Sequence, residues 1–312
     1  MLLNRVGTLT QKRYASGGSG IFGNLGETIT SIVPKAHSYF KVTKPFGFEN
    51  PPIHLKDIPK KPWLTKQNLN FPKRIWDFYF DGVTRKTRVA KIQKDLAYGG
   101  LYDFHVYMRT KGRLFEAPIS YFKRERSKYF PNFKVKSLTG SNVELMDVLS
   151  KSKISILRVY ATESGLEMTD DYLKIPNSQD NYLSEQGLSL LKQEYPNTQI
   201  VELVLSENWS KHFIHTFITP SKLRSQIPKV QHSNYLIAMR DQVLPRSDRD
   251  QILMSNTYAG YIYLIDESFK IRWVGCGLPE PKEVKGLWKA VKGLERETNL
   301  RTARTTKKEV SK

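Results

Sequence analysis

The chain has 312 residues, enough to bury a core without disulfides or metal, and its single cysteine excludes an intramolecular disulfide, a dithiol redox centre and any all-cysteine zinc site. Fifty Lys and Arg against 30 Asp and Glu give a formal charge of +20. The apolar runs, about five to six residues at most, fall far short of the roughly 20 that a membrane-spanning helix needs. The charge is uneven: residues 53–140 carry 20 basic and 7 acidic side chains, whereas residues 141–298 carry 19 and 20. A basic front half on a neutral back half suggests an anionic partner, whether nucleic acid, a phospholipid surface or an acidic protein.

Residues 1–26 contain no acid, and Leu2, Val6 and Leu9 share a helical face with Arg5 and Lys12 off it. This is the pattern of a mitochondrial presequence rather than a secretory signal, and Arg13-Tyr14-Ala15 has the form of a matrix-processing site. Residues 1–40 are therefore expected to be presequence and flexible segment. Pro45, Pro51, Pro52, Pro59, Pro62 and Pro72 follow at a density that forbids a long helix or a central strand. An extended arm is expected, lying along a partner or over its own core, with Ile53, Leu55, Ile58 and Trp63 serving either purpose.

Residues 82–96 read as a basic helix with Val89, Ile92 and Leu96 on one face, stopped by Gly99 and Gly100. The stretch from Tyr102 to Phe133 interleaves rings and cations, including Lys123-Arg124-Glu125-Arg126. That composition fits single-stranded nucleic acid, but it lacks the spacing of an RRM, a KH domain or a zinc finger. Residues 41–128 thus form an arm and a basic helical and aromatic region.

Residues 129–298 read as one domain. Residues 131–141 make a strand and turn, Val143–Leu149 a short helical or extended segment, and Ile154–Tyr160 a buried strand. A helix from about Ser184 to Glu194, a strand Gln199–Leu205, a helix Phe213–Gln226 and a strand Tyr235–Met239 follow. Tyr261–Ile265, a turn at Asp266-Glu267-Ser268, and the alternating Phe269, Ile271 and Trp273 form a hairpin that Gly275 and Gly277 break. Val284, Leu287, Trp288, Val291 and Leu294 then recur at helical spacing. Residues 299–312 read as a basic disordered tail. The order is that of an α/β domain with helices over a mixed sheet, parallel strands first and the hairpin at an edge.

No catalytic, cofactor-binding or metal-binding constellation emerges. His212 and His215, with Glu207 preceding them, lack a zinc spacing; Gly17–Gly26 lacks the P-loop lysine; and Ser164 lacks a nucleophile-elbow context. Glu163 and Glu167 read as a solvated helix face.

The strand and turn leading into ISILRVY, with the YIYLID-turn-FKIRW hairpin before a final helix, resembles the thioredoxin-like fold in its peroxiredoxin-type variant. In redox members of that fold the nucleophilic cysteine follows the strand placed like Ile154–Tyr160. Here the loop reads Ala161-Thr162-Glu163-Ser164-Gly165, without a thiol. Cys276, placed after the hairpin and without a second cysteine, reads as a packing residue. The proline motif Asn50–Trp63, the basic middle, the thiol-less loop and the ending GYIYLIDESFKIRWVGCGLPEPKEV are together similar to the mitochondrial ATP synthase assembly factors that chaperone subunit a of the Fo sector. The resemblance covers roughly residues 45–297. It implies a non-enzymatic, matrix-side protein, peripheral on the inner membrane through its basic residues. Such a protein holds subunit a (subunit 6) until it joins the ring of c subunits. Ile58, Pro59, Lys60, Lys61, Pro62 and Trp63 are the expected partner contacts; no cofactor and no nucleic acid are expected. Two other classes make different demands: a mitochondrial RNA- or ribosome-associated protein would use the basic segment, and a redox enzyme would need Cys276.

Overall fold

Every residue of the runs Ile154–Tyr160 and Thr198–Ser206 is buried, which is the pattern of parallel strands covered on both faces. In the computed structural model, which describes residues 39–57, 100–176, 178, 180–206 and 220–310, they lie at the centre of a seven-stranded mixed sheet. In chain order the strands are β1 (Phe40–Lys41), β2 (Phe115–Glu116), β3 (Lys134–Ser137), β4 (Asn142–Glu144), β5 (Ile154–Tyr160), β6 (Thr198–Ser206), β7 (Tyr235–Met239), β8 (Tyr261–Asp266) and β9 (Ile271–Cys276). The helices are α1 (Gly100–Thr110), α2 (Leu145–Leu149), α3 (Glu163–Asp170), α4 (Glu185–Glu194), α5 (Pro220–Gln226), α6 (Arg240–Val243), α7 (Arg246–Gln251) and α8 (Pro281–Val310).

The sheet runs β4-β3-β7-β6-β5-β8-β9. β5, β6 and β7 are parallel, β8 and β9 return antiparallel at one edge, and the β3–β4 hairpin extends the other. Helices connect the parallel strands, and α8 closes the unit after the β8–β9 hairpin, which makes this the thioredoxin-like fold in its peroxiredoxin-type strand order. Alternation along each strand divides the core. Ile154, Ile156, Ile262, Leu264 and Trp273 face α8, where Leu287, Trp288, Val291 and Leu294 meet them. Leu157, Val159, Leu203, Tyr261 and Tyr263 face the layer of Phe115, Phe130 and Phe133.

The described part of the arm, residues 39–57, lies over this second layer. β1 pairs in parallel with β2, the N–H of Phe48 donates to the Tyr129 carbonyl at 2.9 Å, and the N–H of Leu55 donates to the Glu144 carboxylate at 3.1 Å. These residues therefore pack on their own domain, while the side chain of Ile53 stays 54% exposed.

Several boundaries differ from those expected. Gly100 lies in α1, a helix without a counterpart among the expected elements, whose Asp103, Val106, Tyr107 and Thr110 recur at helical spacing on the side turned to the domain. The expected helix over residues 82–96 lies outside the described residues, as does the presequence reading. Gly275 does not end β9 either. The strand continues to Cys276, and the glycine is there because a Cβ would lie 2.7 Å from the Tyr172 hydroxyl. Cys276 accordingly sits in the hairpin, not after it. Residues 299–310, expected as a disordered tail, continue α8. Of the helix expected from Phe213, the described part is α5. The short helices α6 and α7 have no counterpart among the expected elements, and their few residues explain why: each is too short to show periodicity. Helix α3 is the one on which Glu163 and Glu167 were expected to share a face.

The hairpin is fixed by charge as well as by apolar packing. One Asp266 carboxylate oxygen accepts the turn N–H groups of Ser268 and Lys270 at 2.9 and 3.1 Å, and the other accepts from Arg272 at 3.0 Å. Arg272, 1% exposed, also donates to the Phe122 carbonyl at 2.8 Å and to Glu297 of α8 at 2.8 Å. Replacing Arg272 by Ala leaves Asp266 buried without its cation. We predict a loss of about 3–5 kcal/mol, read as a lowered denaturant midpoint in chemical unfolding.

Candidate functional site

Open α/β sheets carry their sites beyond the C-terminal ends of the parallel strands, because the loops that diverge there leave a crevice. Among the described residues at that end of the sheet, Tyr160, Leu205, Arg240, Arg249, Met254 and Thr257 bound a small, mostly apolar cavity. The loop after β5 turns at once into α3, where the Thr162 hydroxyl caps the helix by accepting from the Gly165 N–H at 3.2 Å. Ser164 donates to the Tyr258 carbonyl at 3.2 Å. Gly165 is pressed against the loop entering β8, so that a Cβ on Gly260 would lie 2.1 Å from the Gly165 carbonyl oxygen. Glu163 and Glu167 are exposed, as a solvated helix face requires.

Helix α1 covers the same loop from outside. The Asp103 carbonyl accepts from the Asn256 side-chain amide at 2.8 Å, and one carboxylate oxygen accepts the Thr257 N–H and hydroxyl at 3.1 and 2.9 Å. Phe104 and Tyr107 place their rings 5.7 and 5.8 Å from that of Tyr258. Asp103 is 5% exposed and its second carboxylate oxygen has no partner. Burial raises its pKa, against the opposing pull of the Thr257 hydrogen bonds and of Arg246 and Arg240. Arg249 is pushed the opposite way, by burial and then by the repulsion of Arg240.

Cys276 is 1% exposed, and its Sγ lies 3.3 Å from the Gly112 carbonyl that accepts from it. Burial pushes the thiol up to about 12. A nucleophilic or redox-active thiol needs the reverse, a depressed pKa and access to solvent. Among the described residues no group of three or more His, Cys, Asp and Glu is placed to hold a metal ion.

Ile58, Pro59, Lys60, Lys61, Pro62 and Trp63 lie outside the described residues, as do Glu207, His212 and His215. The ring-and-cation stretch is resolved from 100 onward, and its rings do not form a stacking platform. Phe115, Phe130 and Phe133 are core residues, Tyr121 lies under Arg272 and Tyr129 under Lys270. Arg124 pairs with Glu267, and Lys128 with Glu49 at 2.6 Å. Two buried arginines were not singled out from the sequence. Arg158, 2% exposed, donates to Thr169 at 2.7 Å, to Glu202 at 3.0 Å and to the Leu166 carbonyl at 2.6 Å, and it pairs with Asp170. The signal for both was a single arginine inside an apolar strand run, in ISILRVY and FKIRWVG.

The chain matches the family model described as ATP10 protein over residues 27–294. A protein of Eremothecium gossypii named mitochondrial ATPase complex subunit ATP10 is 29% identical over 288 residues, spanning 92% of this chain and 97% of the relative. Its Saccharomyces cerevisiae namesake is 30% identical over 264 residues, 84% and 89% of the two chains. Among solved structures, the thioredoxin domain of a thiol-disulfide oxidoreductase from Bacteroides vulgatus overlaps 52% of this chain and 95% of its own. The two are 14% identical, with a TM-score of 0.33.

Two measurements follow from this geometry. With a thiol pKa of about 12, the thiolate fraction at pH 7 is on the order of one in 10⁵, so native protein is expected to resist a thiol-specific reagent that modifies it fully in denaturant. Because the folded pKa of Asp103 lies above the unfolded value near 3.8, its contribution is most favourable below that value and declines as pH rises to the folded pKa. Asp103→Asn keeps the acceptor for Thr257 without the charge. Its denaturant midpoint should match wild type at the acid end and exceed it progressively as pH rises; a constant difference would refute the assignment.

Proposed function

This chain belongs to the ATP10 protein family, and from that membership we propose that it is a mitochondrial assembly factor of the ATP synthase. Its client in this reading is Fo subunit a, held at the matrix face of the inner membrane until it joins the c ring. The observation that carries the proposal is a family match over most of a domain whose usual thiol position is filled by Thr162, Ser164 and Gly165. A fold that retains its frame without a reactive group is suited to binding rather than to turnover. The relatives' name, mitochondrial ATPase complex subunit, supports the same compartment and complex.

Within this reading the client contact is Ile58, Pro59, Lys60, Lys61, Pro62 and Trp63. The segment follows in sequence a stretch that Glu144 and Asn132 hold on the domain at Leu55 and Ile53. Apolar Ile58 and Trp63 supply anchor area against an apolar client, and Lys60 and Lys61 supply charge at the rim. Among the described residues no helix is long and apolar enough to cross a membrane, and the attachment proposed is peripheral. RNA is the weaker partner because three of the rings that would stack on bases, Phe115, Phe130 and Phe133, are in the core, and Tyr121 and Tyr129 are covered by Arg272 and Lys270.

Mitochondria lacking the protein are expected to accumulate less assembled ATP synthase on native gels, and the wild-type chain should restore it. The double variant Ile58→Ala, Trp63→Ala should fold normally but bind subunit a roughly 30-fold more weakly, as expected for loss of an interface anchor worth about 2 kcal/mol. Cys276→Ser should restore assembly in full. Full rescue by the double variant would overturn the assigned contact, and normal assembly without the protein would overturn the function.

A further inference from the structure

The sorting of charge on α8 points to a second surface. Each acid of its described side chains is turned inward and used there. Glu283 accepts from the Ala117 N–H at 2.9 Å and pairs with Arg113 at 3.2 Å. Glu295 accepts from the Asn197 N–H at 3.0 Å and the Thr198 hydroxyl at 2.7 Å, and Glu297 pairs with Arg272. The cations are turned outward. Lys285, Lys289, Lys292 and Arg296 are all exposed and make no ion pair among the described residues. Their spacing of four, three and four places them in one row along roughly 16 Å of helix.

A helix face that is merely solvated gains from interleaved Glu and Lys at i,i+4. This row does without them, and like charges at that spacing oppose the helix rather than support it. Leu300, 62% exposed, extends the row by one turn. Beyond it the helical backbone continues to Val310 through a sequence that carries Arg304, Lys307 and Lys308.

We propose that this outer face of α8 is the surface by which the protein lies on an anionic phospholipid bilayer. The reading rests on the peripheral membrane attachment proposed above and gives it a location. Three of the four cations are lysines, compact charges that suit a diffuse anionic plane more than the forked recognition that arginine provides. The face is convex and has no aromatic side chain between its cations, so it offers neither the groove nor the stacking rings that a single nucleic acid strand uses. With one exposed leucine to enter the headgroup region, attachment is electrostatic, reversible and sensitive to salt.

The test is flotation of the purified full chain with phosphatidylcholine vesicles, with and without about 30% phosphatidylglycerol or cardiolipin, at low and high salt. The wild type is expected on anionic vesicles alone and to leave them as salt rises. Each cation near such a surface contributes about 1 kcal/mol, or roughly fivefold in partition. Lys285→Gln, Lys289→Gln, Lys292→Gln should therefore lower the partition about 100-fold at unchanged circular dichroism and melting temperature. Lys134→Gln, Lys229→Gln, exposed on β3 and just before β7 and so away from the β8–β9 edge of the sheet, should lower it far less. Equal loss in both variants, wild-type binding by the triple variant, or binding to neutral vesicles would each overturn the proposal. So would a triple variant that loses affinity for a single-stranded RNA oligomer while keeping its affinity for vesicles. The vesicles contain no ATP synthase component, so this outcome and that of the assembly experiment are independent.

Discussion

The frame depends on two guanidinium groups held inside it. Arg272 joins the turn carboxylate of Asp266, the carbonyl of Phe122 and the Glu297 carboxylate of α8, three stretches far apart in the chain. Arg158 does the same on the central strand β5, joining β6 to α3. A charge taken out of water is costly unless nearly all its donors find acceptors, so each arginine admits few arrangements of the groups around it. Apolar packing would tolerate small shifts of α8 or α3 against the sheet; these forks do not. The thioredoxin-like frame is thereby specified without an intramolecular disulfide, which a single cysteine excludes.

The loop after β5 is held by ordinary packing. Thr162 uses its hydroxyl to cap α3, Ser164 is engaged with the Tyr258 carbonyl, and Gly260 touches the Gly165 backbone. Helix α1 covers the outside through Asp103. Among the described residues, what remains available to a partner is surface: the exposed apolar side chains of α1 and the cationic row of α8.

Strands were the legible part of the sequence. ISILRVY, QIVELVL, YLIAM and the closing hairpin announce themselves because a buried sheet demands uninterrupted β-branched and aromatic runs. The absent thiol was legible for a similar reason, since a single cysteine in the wrong strand leaves no other assignment. Helix α1 was not, because what fixes it is packing on the Asn256–Tyr258 loop, about 150 residues away in the chain, which no local pattern contains. Gly275 misled for a like reason: its lack of a side chain answers to Tyr172, about 100 residues away in the chain. In the aromatic and basic stretch composition set rings beside cations, and folding sent Phe115, Phe130 and Phe133 to the core, left Phe104 exposed and paired several of the cations.

The contact between Gly165 and Gly260 has a consequence for engineering. A Cβ on Gly260 would lie 2.1 Å from the Gly165 carbonyl oxygen, and one on Gly165 3.2 Å from that of Ala259. Any side chain at Gly260 would therefore wedge α3 away from the loop entering β8. The pair works as a latch that only the smallest residue can close, and the register of α3 on the sheet hangs on it.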